Sequence, residues 1–567
     1  MPLPATATAT ATKATAIDRT TFEYRRPTLA ALARLAGRAA LPGLLATLAG
    51  CENAPTAVAP ARPAKPAPVI DISDPRQEAD AMRVSTLDAR RVDRVSFGVD
   101  AALLQQVGRL GWERWLDAQL HPGPAALPAA VGERIARMRI VREPLEARVR
   151  ADVAQRKAAD AIADDEQKKA AQRQAQKSLE TQADEADQRW LLQAVNSPDQ
   201  VRERMVWFWV NHFSIGRNKA NLRAFVGDYE AALRAHALGR FRELLEASVF
   251  NPAMLRYLDN ERNAAGQVNE NYARELLELH TLGVDAGYTQ ADVQEMARVL
   301  TGLGLRVEPG DARLRPEQQA QYVHSGLLEF NPARHDAGDK TVLGQSVHAA
   351  GVTEIRQVLD RLARNPATAR HLSTQIARYF VGDAASPALV ERMTQRWLAT
   401  DGDIAAVLKT LFTAPEFDAT LGRHFKDPWE YVVSATRLAY DGSVVLDAAP
   451  LQAGLRQLGE APFGHETHEG YSAAESAWAS PGQMTARFDV ARNLVGGNGN
   501  GNAALFRVDG MPAPAGPTKA RVESAAWLRT QAPRSSEATR QALDATLATH
   551  PGDWAWAALV APEFMRN

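Results

Sequence analysis

Apolar positions recur every three or four residues over most of the chain from Asp88 onwards, which is the spacing of amphipathic α-helices. The pattern stops between residues 306 and 350, where Pro, Gly and polar residues are frequent and short apolar runs favour a hairpin. The helical period returns at Gly351. We therefore predict a mainly α fold, a multi-helix orthogonal array or bundle with long loops and a small β-hairpin excursion near residues 320–350.

The most informative pattern lies in residues 269–302, which predict two helices joined by a polar turn. Residues 271–282 are rich in Leu, Glu, Arg and Ala and are followed by Gly283, a residue typical of helix ends. Thr289 and Asp292 have the spacing of a reciprocal cap at the start of the second helix. This second helix should bury one stripe of four apolar residues, Val293, Met296, Ala297 and Leu300.

The first of these two helices carries a polar stripe on an otherwise apolar surface. At about 100° per residue, four polar side chains share roughly one third of its circumference: Asn271, Arg274, Glu275 and Glu278. His280 lies nearly opposite the glutamates, so this helix alone does not bring the three groups to one metal ion. Two interpretations stay open. The stripe is either a solvated face with an ion pair between Arg274 and Glu278, or a buried cluster of functional carboxylates.

Other candidates for chemistry lie outside this helix. His212 ends an apolar stretch at 205–213 and is predicted either to be a hydrogen-bonded core residue or to line a cavity. His335 and Asp336 lie on a loop, where functional groups are common, although such residues also form turn hydrogen bonds. The histidine-rich loop 465–469 lacks the HExxH spacing and is flanked by glycines, which does not favour a zinc site.

The start of the chain has the pattern of an exported lipoprotein. Residues 1–50 predict a leader and lipoprotein signal peptide, with a basic region ahead of an apolar segment of signal-peptide length. The segment ends in Leu48-Ala49-Gly50-Cys51, which resembles the site at which bacterial lipoproteins are cleaved and lipidated. Cys51 is the only cysteine, so neither an intrachain disulfide nor a cysteine-based metal site is predicted. The Pro/Ala-rich residues 51–75 should form an extended tether.

Beyond the tether we predict a main helical domain at 76–425 and a C-terminal helical unit at 426–567 that packs on it. Residues 144–188 are almost wholly alanine, amide and charged residues, which predicts one long exposed helix. The net charge is -1 and the pI is ≈ 6.9, so no broad basic field is available for nucleic acid. No second apolar stretch is long enough to span a membrane, so we expect membrane attachment through a lipid at Cys51.

Several blocks of residues resemble a bacterial family catalogued as domain of unknown function 1800. The similarity runs from about residue 88 to the end, and the block at 269–302 is specific enough to support it. Other blocks are MVWFWVNHF at 205–213, HDAG at 335–338, APEF at 414–417 and KDPWE at 426–430. The resemblance implies an exported, mainly helical protein, often encoded beside a second family of unknown function that resembles sulfatases. It brings no reaction and no catalytic residues.

Two functional hypotheses follow. In the first, the protein is an exported, lipid-anchored component of the bacterial cell envelope, in the periplasm or at the cell surface. It would act there as a helical scaffold or as the partner of a co-exported, sulfatase-like protein. In the second, it is an envelope or extracellular hydrolase of a glycan or another polymer. Its acid/base groups or cation ligands would come from Glu275, Glu278, Asn271, His212, His335 and Asp336. A divalent cation suits such a cluster, but the sequence identifies no cofactor.

Overall fold

The computed structural model describes residues 84–124, 127–497, 501–508, 510–511, 519–520 and 525–567. The predicted leader at 1–50, the lipidation residue Cys51 and the tether at 51–75 lie outside the described residues. Helices, with the short 3₁₀ helices included, make up 63% of the described residues, which confirms the mainly α fold. None of the helices in the described ranges is both long enough and apolar enough to cross a membrane.

The helices follow one another along the chain with mostly short connections. The first half contains α1 (Thr86–Val95), α2 (Ala101–Leu110), α3 (Trp112–Leu120), α4 (Ala129–Ala136), α5 (Arg139–Arg142), α6 (Leu145–Asp160), α7 (Asp165–Asn196), α8 (Gln200–His212), α9 (Val226–His236), α10 (Phe241–Val249), α11 (Pro252–Tyr257), α12 (Asn271–Glu278) and α13 (Gln290–Val299). The second half contains α14 (Pro316–Gln319), α15 (Val352–Ala363), α16 (Pro366–Val381), α17 (Pro387–Ala399), α18 (Ile404–Phe412), α19 (Pro415–Thr420), α20 (Pro428–Ala439), α21 (Ala449–Leu458), α22 (Glu475–Trp478), α23 (Pro481–Val495), α24 (Ala525–Thr530), α25 (Glu537–Thr549) and α26 (Trp554–Leu559).

Two small antiparallel sheets interrupt the helices. Their strands are β1 (Leu303–Leu305), β2 (Val323–Ser325), β3 (Leu328–Phe330), β4 (Lys340–Val342) and β5 (Gln345–Val347). The first three strands pair in the order β1-β3-β2, and β4 and β5 form a hairpin. The turn residues Leu343 and Gly344 both have positive φ, 53° and 71°, as a tight two-residue hairpin turn requires. The predicted hairpin excursion is confirmed. Strand β1 lies ahead of the predicted range and pairs with β3.

Helix α8 runs through the middle of the core, because every side chain from Glu203 to Val210 is buried. A helix that is buried on all sides must be covered by others, and α8 packs against α1, α3, α7 and α9. Its Trp207 stacks on Trp429 of α20 with ring centroids 4.4 Å apart, and Trp190 of α7 lies 4.7 Å from Trp429. The main core cluster extends from Val84 to Met565. The predicted C-terminal unit thus contacts the rest of the body through this aromatic stack.

The second helix of the central stretch forms as its sequence predicts. At the start of α13, the Thr289 hydroxyl accepts the Asp292 N–H at 3.2 Å, and the Asp292 carboxylate accepts the Thr289 N–H at 2.8 Å. The apolar stripe is fully buried. This reciprocal cap satisfies two N–H groups that the helix itself leaves without partners, which fixes where α13 begins.

The prediction that the first helix extends to residue 282 is wrong, since α12 ends at Glu278. The N–H of His280 donates to the carbonyl of Glu275, five residues back, at 3.0 Å. Such a bond widens the last turn beyond α-helical geometry, and the chain then leaves the helix. Gly283 follows with a φ of +91°, the left-handed conformation that glycine adopts at low cost.

The prediction of one long helix over 144–188 is also wrong. The structure has two helices, α6 and α7, which pack against each other across a turn at 161–164. Asp164 caps α7 by accepting the N–H of Gln167 at 2.9 Å. Gln182 of α7 donates to Asp152 of α6 at 2.8 Å, so the two helices are joined along their length. The alanine and charged residues continue across the turn, and apolar periodicity therefore does not mark it.

Candidate functional site

The start of α12 is fixed by asparagine side chains. The Asn269 side-chain oxygen accepts the N–H of Asn271 at 3.0 Å, and the N–H of Asn269 donates to Asn263 Oδ1 at 2.9 Å. The side-chain amide of Asn271 donates to the carbonyl of Leu258 at 3.3 Å. Asn271, a predicted site residue, thus holds α12 against the segment that follows α11.

Glu275 pairs with His468, a contact that the sequence did not predict. Its side chain is buried, and its Oε1 lies 3.3 Å from Nε2 of His468 in the loop 465–469. The His468 ring stands edge-on to Tyr257, whose hydroxyl donates to the carbonyl of Glu466 at 2.7 Å. The His468 side chain is 37% exposed. A buried carboxyl therefore contacts an imidazole that reaches solvent, a geometry in which a proton can pass between them.

The loop continues to Tyr471, and this end of the loop 465–471 is attached to α8. Asn211 donates from Nδ2 to the carbonyl of Tyr471 at 2.9 Å and accepts the N–H of Tyr471 at 2.7 Å. Gly470 has a φ of +72°, and a Cβ built there would lie 2.3 Å from the Asn211 carbonyl oxygen. Only glycine fits this approach. The loop backbone is therefore fixed on both sides of His468.

Glu275 and Glu278 share one face of α12, as predicted, but their environments differ. Burial raises the pKa of Glu275; His468 lowers this pKa and Glu278 raises it, and the net value lies above the ordinary one. Glu278 is half-buried, and its Oε2 accepts the hydroxyl of Tyr288 at 3.0 Å. A carboxyl with a raised pKa retains its proton closer to neutral pH, a property that a general acid needs.

Among the described side chains, Arg274 pairs with Glu270 and not with Glu278. Its Nη2 lies 3.3 Å from Oε2 of Glu270. The predicted ion pair between Arg274 and Glu278 is wrong. Arg274 also donates to Gln290 at 2.8 Å, and Gln290 donates to Glu270 at 2.6 Å. The physical reason is tertiary, because the start of α13 supplies a partner that the geometry of a single helix does not reveal.

His212 lies at the end of α8 among aromatic rings and other histidines. Its Nε2 is 3.3 Å from the carbonyl oxygen of His280, and its ring stacks on Phe208. The rings of His280 and His371 are centred 6.1 and 6.5 Å away. Burial, and then the proximity of His371, lowers the pKa of His212 to about 3, so its imidazole is neutral at pH 7. This placement agrees with the predicted alternative of a hydrogen-bonded core residue.

His335 and Asp336 belong to an ionic cluster beside the small sheets. Nε2 of His335 lies 3.1 Å from Oε1 of Glu354, and the same oxygen lies 2.5 Å from Nζ of Lys340. Asp336 accepts two hydrogen bonds from Arg298, at 2.9 and 3.1 Å. The Arg298 guanidinium lowers the pKa of Asp336 to about 2. These contacts tie the loop before β4 to α13 and α15.

The predicted site residues therefore occupy three places: Asn271, Glu275 and Glu278 on α12, His212 at the end of α8, and His335 with Asp336 in the ionic cluster. His468, which pairs with Glu275, was not predicted as a site residue. The composition of its histidine-rich loop was the only signal for it. In the described ranges, no group of three or more His, Cys, Asp or Glu side chains has an arrangement that could hold a metal ion.

Comparison with known proteins gives one result. The family model described as "Protein of unknown function (DUF1800)" matches residues 90–566, which includes α12 and the loop of His468. No curated protein and no solved structure matches the chain. The comparisons therefore assign a family to this chain and no activity.

Proposed function

The chain belongs to the DUF1800 family of proteins of unknown function, and we propose that it is an exported helical scaffold of the bacterial cell envelope. A lipid on Cys51 would hold it to a membrane, and a co-exported, sulfatase-like protein would be its partner. One observation carries the scaffold role. Each predicted acid or base contacts another group of the protein, and the contacts of Glu275, His212 and Asp336 join segments at least 38 residues apart in the sequence. Such connected polar networks rigidify a fold.

Glu275 connects separate segments of the chain in this way. Through His468 it joins α12 to the loop 465–471, which Tyr257 and Asn211 also bind. Helices α8, α11 and α12 are thus connected through this one loop. A partly buried pair of this kind contributes little to the free energy of unfolding. Its main effect is to favour one arrangement of the helices over others.

Replacing Glu275 by glutamine is expected to loosen the loop 465–471 and to leave the rest of the body intact. Glutamine keeps the size of the side chain but removes the charge that attracts His468. The backbone amides of the loop should exchange hydrogen at least about tenfold faster, as local opening becomes easier. The free energy of unfolding should fall by at most about 1 kcal/mol, because His468 is partly exposed. Hydrogen exchange with mass spectrometry measures the first effect and urea denaturation the second.

The matched control is Glu270→Gln, on the turn before α12. Glu270 pairs with Arg274 and is only partly buried, so its replacement should leave exchange in the loop unchanged. Equal exchange of the loop in the Glu275→Gln variant, the Glu270→Gln variant and the unmodified protein would show that Glu275 does not anchor it.

The lipid anchor has its own test. The Cys51→Ser variant is expected to carry no lipid, because the thiol is the acceptor and the chain has no second cysteine. Metabolic labelling of the producing bacterium with an alkyne fatty acid, followed by gel fluorescence of the purified protein, measures this. Glu52→Gln, which changes the next residue and keeps the thiol, should remain labelled. Normal labelling of the Cys51→Ser variant would overturn the lipoprotein assignment.

A hydrolase of a glycan or another polymer is the second candidate, and the pairing of Glu275 with His468 favours it. Glu275 has a raised pKa, and His468 connects it to solvent. The two carboxylates of a glycosidase stand about 5–9 Å apart on opposed sides of the bond that they cleave. Glu275 and Glu278 lie one turn apart on the same face of α12, so His468 is the better partner for Glu275.

The Glu275→Gln variant also separates these two functions. A hydrolase with Glu275 as general acid should lose about 10²–10⁴-fold in rate, measured as new reducing ends on a panel of envelope glycans. Glu270→Gln should retain the full rate. If the protein is a scaffold, Glu275→Gln should change only the hydrogen exchange of the loop 465–471. The unmodified protein should then hydrolyse none of the glycans. Metal analysis of the purified protein beside its Glu275→Gln and Glu278→Gln variants tests for a divalent cation at the α12 carboxylates.

A further inference from the structure

A cleft with a volume of about 410 Å³ lies where the ends of α3, α7 and α9 meet the start of α8. None of the residues that line it belongs to α12 or to the loop of His468. Its volume is within the range of about 300–1,000 Å³ that is usual for small-molecule sites. Three leucines, Leu120, Leu127 and Leu238, form an apolar part of the wall. The cleft is therefore large enough for a small ligand and lies apart from the site described above.

Four polar atoms of the other lining residues are buried and have no hydrogen-bond partner within the described structure. They are Oε2 of Glu203, Nη2 of Arg234, Nε of Arg202 and Oε1 of Gln193. Glu203 is the most deeply buried of these residues, with 1% of its surface exposed. Proteins rarely leave several buried donors and acceptors unpaired in one place unless water or a ligand binds them. The residues of the wall thus hold both donors and acceptors that the described protein leaves unpaired.

The charged side chains of the wall already have partners of opposite charge. Nη1 of Arg234 lies 2.6 Å from Oε1 of Glu203, and its Nε lies 2.6 Å from Oε1 of Glu230. Arg202 pairs with Asp199 at 2.5 Å. An anionic ligand would compete with these carboxylates, and a cationic ligand would compete with the guanidinium groups. A neutral group that both donates and accepts avoids this competition, and a hydroxyl is such a group.

We propose that this cleft binds a small, neutral molecule with several hydroxyl groups, a sugar or a polyol. One hydroxyl would donate to Oε2 of Glu203, and a neighbouring hydroxyl would accept from Nη2 of Arg234. The C–H groups of the ligand would pack on the leucines of the apolar wall. The site is independent of the scaffold and hydrolase functions, because it shares no residue with them.

Isothermal titration calorimetry of the full-length protein tests the proposal with named probes. Glucose and N-acetylglucosamine represent sugars, and myo-inositol represents polyols. Glucuronate and glucosamine are charged counterparts of the two sugars, one anionic and one cationic. At least one neutral probe should bind with a Kd of about 0.1–1 mM, and the charged probes should bind at least about tenfold more weakly. Binding of inositol without the two sugars would identify a polyol, and the reverse result a sugar. Absence of binding by all three neutral probes, or equal binding of the charged ones, would overturn the proposal.

Two variants locate the binding. Ala235 is an exposed residue of α9 that lines the cleft, so Ala235→Trp should fill the cleft and weaken binding at least about tenfold without disturbing the core. Ala231→Trp, on the exposed surface one turn away and outside the lining, is the matched control and should bind normally. Glu203→Gln keeps the shape and should weaken binding by removing the charged acceptor. Equal affinity of the Ala235→Trp and Ala231→Trp variants would place the binding elsewhere and refute this site.

Discussion

Replacing Glu354 by alanine is expected to lower the free energy of unfolding by about 3–5 kcal/mol. Glu354 is fully buried, and its Oε1 lies 2.5 Å from Nζ of Lys340 and 3.1 Å from Nε2 of His335. Its second oxygen accepts the N–H of Ala350 at 2.9 Å. The substitution leaves the buried ammonium of Lys340 without its carboxylate. An uncompensated buried charge costs far more than the intact pair contributes, and urea denaturation followed by circular dichroism measures the loss.

Two further variants separate this effect from the simple loss of a glutamate. Glu317→Ala removes a side chain that is 63% exposed on α14, and the free energy of unfolding should change by at most about 0.5 kcal/mol. The double variant Lys340→Met with Glu354→Leu removes both charges and should lose less stability than Glu354→Ala alone. If Glu354→Ala were as stable as Glu317→Ala, the cluster would have no structural role.

The same cluster predicts a dependence of stability on pH. Burial alone would raise the pKa of Glu354, but His335, Lys340 and the N–H of Ala350 outweigh burial and hold this pKa below its ordinary value of 4.5. The unfolded chain therefore binds the proton more tightly than the folded protein. The stabilisation is complete above the unfolded pKa and is lost as the pH falls through the folded one. The Glu354→Ala variant should lack this part of the acid sensitivity.

Local sequence signals predicted those features of the helices that depend only on residues within one helix. The reciprocal cap of Thr289 and Asp292 and the buried stripe of α13 formed as expected, because both depend on residues three and four positions apart. The hairpin near 340–347 also formed, since glycine and polar residues mark such a turn. The prediction of a single helix over 144–188 was wrong because both helices are rich in alanine. Neither has an apolar period whose interruption would mark the turn between them.

The candidate site was predicted only in part, for a different reason. The polar face of α12 follows from helical spacing, and the structure retains Asn271, Glu275 and Glu278 on it. The partners of that face come from elsewhere: His468 from a distant loop and Tyr288 from the turn before α13. A helical wheel describes one helix and contains no information about which loop will pack against it. The contacts that decide the chemistry of Glu275 are tertiary.

A second large effect is expected at Trp429, where α20 meets the rest of the core. Trp429→Ala should lower the free energy of unfolding by about 3–5 kcal/mol, because it removes a fully buried indole and leaves a cavity. The ring stacks on Trp207, lies 4.7 Å from Trp190, and is tilted against Phe97 at 6.4 Å. Thermal and urea denaturation measure the loss, and the near-ultraviolet circular dichroism of the tryptophan cluster should weaken. Trp556→Ala, at a half-buried tryptophan below Arg492, should cost only about 1 kcal/mol.

Hydrogen exchange along the chain of the Trp429→Ala variant tests whether the predicted parts 76–425 and 426–567 unfold together. Trp429 lies in the second part, whereas Trp190, Trp207 and Phe97 lie in the first. Because one core cluster contains all four rings, the cavity should reduce hydrogen-exchange protection in α7 and α8 as well as in α20. A loss of protection confined to 426–567 would instead show that the C-terminal unit unfolds separately. In that case the boundary at residue 425 would divide the protein energetically, although the core continues across it.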